Sequence, residues 1–160
     1  MSAMLRAPTT RQLNLGLAAL RSVTGLIFMA HGAQKLFVFG IAGVTGAFGQ
    51  MGIPLPVVVA PAVAVLEFLG GLALIVGAGT RLAAAGLLAN MLGAIMLVHL
   101  RAGFFLPEGV EFALSLLGSA ALLAVVGAGG WSVDAVLAGR AAERQPELNR
   151  AARGGSRRAA

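Results

Sequence analysis

Residues 56–78 read PVVVAPAVAVLEFLGGLALIVGA, a stretch of 23 positions with one charge, Glu67. At 1.5 Å per residue a helix of this length crosses the ~30 Å hydrocarbon core of a bilayer. Working outward, three more stretches share its character. One runs from Leu13 to about Ala30 and is interrupted by Arg21. Another runs from Leu82 to Leu100 and contains Asn90, and the last runs from about Val110 to Ala128. The pattern predicts an all-α fold, an integral membrane four-helix bundle that passes the membrane several times.

Composition agrees. Apolar residues make up 58% of the 160 positions and charged residues 11%, against a usual charged share of about 25%. Too little charge is present to cover a water-facing surface, so lipid must solvate most of it. The length allows at most one domain, and the 23 glycines suit membrane helices better than soluble ones. There is no cysteine. Structural disulfides, thiolate metal sites and thiol exchange by this chain itself are therefore excluded. Any thiol chemistry would belong to a partner.

The formal net charge is +6. Its excess lies mostly in Arg140, Arg144, Arg150, Arg153, Arg157 and Arg158. That distribution reads as a basic cytoplasmic tail and not as a nucleic-acid surface. With the N-terminus inside, Arg6, Arg11, Arg81 and the tail are cytoplasmic, and only Lys35 and Arg101 lie outside. Both termini are thus expected in the cytoplasm. The expected divisions are a cytoplasmic N-terminus over 1–12, a transmembrane domain over 13–137 and a basic tail over 138–160, disordered at its end. Ala30-His31-Gly32 faintly mimics a leader cleavage site. Arg21 inside the apolar region, and the odd number of spans that removal would leave, argue against cleavage.

Between Phe37 and Pro54, Gly40, Gly43, Gly46, Gly49 and Gly52 recur every third residue. On a helix they form a drifting stripe that admits another backbone. The segment is expected to be a short helix at or dipping into the outer interface, or else a flexible glycine-rich loop.

Counting residues along each span places Arg21 and Glu67 near one mid-membrane level. Asn90 and Ser119 fall at similar depth, with Ser115 on the Ser119 face. A charge at the bilayer centre costs ~2.5–3.5 kcal/mol on insertion scales. Arg21 and Glu67 are therefore expected to face each other inside the bundle, with Asn90 satisfying what remains. Such a pair fixes helix register, or it marks a proton, quinone or ligand site. A second group, His31, Lys35, His99 and Glu111, with Arg101 and Glu108 nearby, is expected at the outer mouth. Its histidines could move protons near neutral pH, or the group could be interfacial capping. No spacing supports a metal site.

These residues, in this order, resemble the DoxX family of bacterial and archaeal membrane proteins. The resemblance covers about residues 13–137. It rests on Arg21, His31-Gly32-Ala33-Gln34-Lys35-Leu36-Phe37, Met51-Gly52-Ile53-Pro54 and Glu67-Phe68-Leu69-Gly70-Gly71. It continues through Gly77-Ala78-Gly79-Thr80-Arg81 and Gly127-Ala128-Gly129-Gly130-Trp131-Ser132-Val133-Asp134. It implies a four-helix bundle in the plasma membrane, linked to oxidoreductase complexes concerned with thiosulfate:quinone oxidation, thiols or oxidative stress. The leading expectation is a membrane subunit of an oxidoreductase system, with quinone as the candidate cofactor. Soluble redox proteins are candidate partners, and a homo-oligomer is compatible. A non-catalytic scaffold that anchors partners through its tail, and a small-solute or proton transporter, are the alternatives.

Overall fold

The structure, a computed structural model, describes residues 7–143. The first helix, α1, spans Thr10–Ala33. Thr9 and Gln12 start it with a reciprocal cap: the Thr9 hydroxyl accepts from the Gln12 N–H, and the Gln12 side chain accepts from the Thr9 N–H at 2.8 Å. A π-helical turn, Gln34–Val38, carries it onward, so helix runs unbroken from Thr10 to Val38. Next come α2 (Gly40–Gln50) and α3 (Pro56–Val76). α4 (Thr80–Ala94) also ends in a π-helical turn, Ile95–His99, and then a short 3-10 turn, Leu100–Ala102. α5 spans Glu111–Val126, and a further helix, α6, occupies 133–143. Among the described residues there is no strand.

Three of these helical stretches are long and apolar enough to cross a membrane: Thr10–Val38, Pro56–Val76 and Thr80–Ala102. The fourth expected span is apolar too, but α5 has only 16 residues, about 24 Å of helix. Large apolar side chains stand outward along the bundle, with Val57 at 74%, Leu82 at 82% and Val125 at 76% exposure. Lipid, not water, is the solvent that tolerates them.

α1 lies against α3 over most of its length, α4 packs on α5, and α3 joins the two pairs. The α1–α3 contact is set by small residues. A Cβ added to Gly71 would sit 2.4 Å from the Met29 nitrogen, and one added to Gly32 would sit 2.3 Å from the Phe68 nitrogen. Gly25 opposes the Gly71 carbonyl at 2.6 Å in the same sense. Only glycine allows backbones this near. Between the pairs, Phe28, Leu74, Leu87 and Leu123 are fully enclosed with Ala84, Leu116, Ala113 and Met91 around them.

α3 stops where Gly77 enters the left-handed region, φ +70. The N–H groups of Gly77 and Ala78 turn back onto the carbonyls of Leu74 and Ala73 and satisfy the helix end. Gly79, φ +58, then turns the chain directly into α4.

The glycine-rich segment is helical as α2, not a flexible loop. Among the described residues its stripe admits no other backbone: open space surrounds Gly46, and Gly43 meets only the Phe39 Cβ at 3.9 Å. The expected tail lies largely outside the described residues, and its first part, 138–143, is helical within α6.

Candidate functional site

The α1–α3 seam determines which groups meet. Gly25 lies opposite Gly71 and Ile75, and Gly32 lies opposite Ala64 and Phe68. Running the two antiparallel helices outward from these points sets Glu67 level with residues 29–33 of α1, while Arg21 comes level with residues 75–79. The expected Arg21–Glu67 pair is therefore not formed. The two residues sit about ten α1 positions apart in level, ~15 Å along the axis. Counting depth from Leu13 misplaced Arg21, because α1 begins earlier and its first turns extend past the C-terminal end of α3.

Glu67 is 4% exposed. Lys35 Nζ donates to its Oε2, the single ion pair seen among the described residues. Asn90 Nδ2 donates to its Oε1 at 2.9 Å. Three helical segments each supply one member: the π turn after α1, the middle of α3, and α4. Lys35 emerges about one turn beyond Glu67, and its long stem brings the ammonium back to the carboxylate. A lone charge here would face the insertion cost given above; ammonium and carboxylate together present no net charge, and the amide fills the second oxygen. The arrangement can hold a proton between two basic sites, or it can lock register.

Arg21 is buried at the C-terminal end of α3, 5% exposed. Nη1 donates to the carbonyls of Leu74 (3.0 Å) and Ile75 (2.8 Å), and Nη2 donates to the Trp131 carbonyl. It thus caps the C-terminal turn of α3, where orphan carbonyls and the helix dipole favour a cation. Its Nε finds no partner among the described residues. Beside it, Asp134 accepts from the N–H groups of Gly79 (2.7 Å) and Thr80 (3.0 Å) and so caps α4 from across the fold. The Asp134 N–H returns a bond to the Gly77 carbonyl at 2.9 Å. Burial raises the Asp134 carboxyl, but the Thr80 and Gly79 N–H groups, with the Arg21 charge, hold it below its ordinary 3.8. Asn14 extends this knot by accepting from the Gly130 N–H at 2.8 Å.

The other expected site residues divide. Ser119 does not join Glu67; its hydroxyl donates to the Ser115 carbonyl of its own helix at 2.9 Å, and Ser115 donates to Phe112. The outer-mouth group does not converge. Lys35 is taken by Glu67. His31 is exposed, its ring 6.1 Å from that of Phe112. His99 Nδ1 lies 2.8 Å from the Glu108 carbonyl, and Glu111 accepts from the Leu106 N–H at 2.8 Å. The last two contacts close the 103–110 loop. Two surface concavities stand out. One is lined by Thr80, Arg81, Val126, Gly127 and Asp134 among others, and an apolar one is lined by Pro61, Val65, Leu66 and Leu69 among others. Neither is lined by Glu67 or Arg21.

Sequence reasoning placed Lys35 outside and gave Asp134 no role. A partial signal for Lys35 was present: Gly25/Gly32 and Ala64/Gly71 are both seven-residue pairs, and matching them sets Glu67 near residue 29 of α1, so Lys35 lies within reach of its long stem while Arg21 falls toward the end of α3. For Asp134 there was none, since its cap acts 54–55 residues away.

A helical bundle clad in apolar side chains, with one buried carboxylate in mid-span, is a small membrane protein. The chain belongs to the DoxX family, whose model matches residues 16–100. It is 36% identical over 133 residues to an uncharacterized membrane protein of Mycobacterium tuberculosis, covering 76% of this chain and 81% of that one. It is 33% identical over 117 residues to the Bacillus subtilis protein named "Putative oxidoreductase CatD", covering 73% and 83%. An uncharacterized protein of Haemophilus influenzae is 35% identical over 122 residues, covering 74% and 87%. No solved structure matches.

Proposed function

We propose that this chain is the membrane subunit of an oxidoreductase system, with Glu67, Lys35 and Asn90 as the site that holds a proton for a redox partner. In this reading it sits in the plasma membrane as four spans, α5 included, with both termini cytoplasmic. One observation carries the site: a carboxylate buried in the middle of α3, bonded to an ammonium and an amide from two other segments. Intramembrane ionisable groups so arranged mark proton paths and substrate sites more often than they mark mere structure. The oxidoreductase part is supported by the family and by the name of the Bacillus subtilis relative.

The residues present suit a proton better than a quinone headgroup. The two donors that would hold a quinone carbonyl, Lys35 Nζ and Asn90 Nδ2, are both spent on Glu67. Neither concavity described above reaches them. No step through a quinone is therefore assigned to this chain.

The test is complementation of a deletion strain, reading electron transfer from a soluble reductant to quinone in isolated membranes. The intact protein should restore it. Glu67→Gln, at equal abundance, should restore at least ~10-fold less. Equal restoration by both would sink the site. The mutual satisfaction of Lys35, Glu67 and Asn90 favours a second reading, a scaffold in which the cluster only fixes register. Glu67→Gln would then keep full activity, while removing residues 144–160 would lose the partner in a pull-down.

A further inference from the structure

α6 presents a continuous face that nothing among the described residues covers. Val133, Val136 and Leu137 are 41%, 54% and 56% exposed. With Arg140, also exposed, they stand at i, i+3, i+4 and i+7, one stripe of a helix. Trp131, two residues before the helix, is 50% exposed. The start of the helix is anchored: Ser132 bonds the Gly129 carbonyl, Asp134 bonds Gly79 and Thr80, and Arg21 holds the Trp131 carbonyl, while residues 136–143 are exposed on every side.

This anchoring fixes the depth of α6. Arg21 is level with the C-terminus of α3, and Asp134 caps the N-terminus of α4. Both helix ends lie where a span leaves the hydrocarbon. A helix clamped there cannot enter the core, and it cannot drift far into water. Apolar residues and a tryptophan are followed by Arg140, and the sequence after it adds Arg144, Arg150, Arg153, Arg157 and Arg158.

We propose that α6 lies on the headgroups of its own membrane and binds anionic phospholipid, with Trp131, Val133, Val136 and Leu137 in the acyl boundary and Arg140 on lipid phosphate. Buried apolar area and attraction to anionic lipid together set the strength of such helices. Each juxtamembrane Arg adds to it while within reach of the surface. The role is independent of the Glu67 site.

Trp131 is the sole tryptophan of the chain and reports on the depth at which α6 begins. The full chain is reconstituted into vesicles of phosphatidylcholine, or of phosphatidylcholine with one quarter phosphatidylglycerol. Trp131 quenching is read with lipids brominated at shallow or deep acyl positions, and with aqueous acrylamide. In phosphatidylglycerol vesicles, shallow bromines should quench at least ~2-fold more than deep ones, and acrylamide access should fall. High salt and Arg140→Gln should each reverse part of that protection. Leu137→Ser, which removes apolar area without touching the anchors, should raise acrylamide access. Circular dichroism of each variant checks that the helices remain. Trp131 open to acrylamide in both lipids would overturn the proposal. So would protection without bromolipid quenching, because a protein surface would then be covering the face. Equal protection in both lipids, unmoved by salt, would overturn the anionic preference.

Discussion

Glu67 keeps both carboxylate oxygens occupied, and that sets what its neighbours can lose. Removing one member of a buried pair costs about 3–5 kcal/mol, because the survivor is stranded. Lys35→Met strands the carboxylate, which is the more enclosed partner, with side-chain exposures of 19% for Lys35 and 6% for Glu67. It should therefore fall within that range in detergent unfolding. The double variant Lys35→Met/Glu67→Leu should recover most of the loss, since two apolar side chains inside the bundle strand no charge. Arg21→Met should show no coupling to Glu67→Leu in the same assay, because the two residues share no contact. Asn90→Ala should cost about 1–3 kcal/mol, the penalty of an unmet buried acceptor. Asp134 gives a pH signature. Its folded carboxyl lies below 3.8, so the unfolded chain takes up that proton first. The stability it supplies is present above about pH 4 and lost as pH falls through the lowered value. Asp134→Asn should flatten that acid arm of the melting-temperature profile; an unchanged arm would show that other carboxylates cause it.

Helix packing explains what could be seen in the sequence and what could not. The apolar runs of α3 and α4 declare themselves because lipid imposes one simple rule on every exposed side chain. The Gly77–Gly79 turn and the Glu67–Asn90 contact follow from those runs, since adjacent spans joined by a tight turn have a fixed register. α1 and α3 are joined through α2 and its flanking turns, so connectivity leaves their register free. Backbone approach at Gly25, Gly32 and Gly71 settles it instead, and that decided between Arg21 and Lys35 as the partner of Glu67. The seam is testable apart from the charges. Gly71→Val must push the Met29 backbone away and should cost about 1–3 kcal/mol or more. Gly46→Ala, with open space around it in α2, should be neutral or stabilising by up to about 1 kcal/mol. Similar losses at the two positions would show that the seam does not set the packing.

Taken entire, the molecule has its two polar knots at different levels, and they answer to different surroundings. Glu67 sits among spans, so lipid governs it; Arg21 and Asp134 tie three chain segments where the spans end, so water and headgroups govern them. Hydrogen exchange should separate them. Arg21→Gln should speed exchange at Asp134 and across 127–133 while leaving the middle of α3 protected. Faster exchange throughout α3 would mean that the bundle depends on that clamp as a whole. The length of the first helix adds a constraint of another kind. From Thr10 to Val38 it holds 29 residues, a rod of ~44 Å, against ~32 Å for α3 and a slab of ~30 Å. A rod too long for its slab must lean or protrude. Riveted to α3 by the glycine contacts, it cannot lean alone, so a thinner or thicker bilayer would tip the two as one lever, with the turns before Arg21 as the arm that swings.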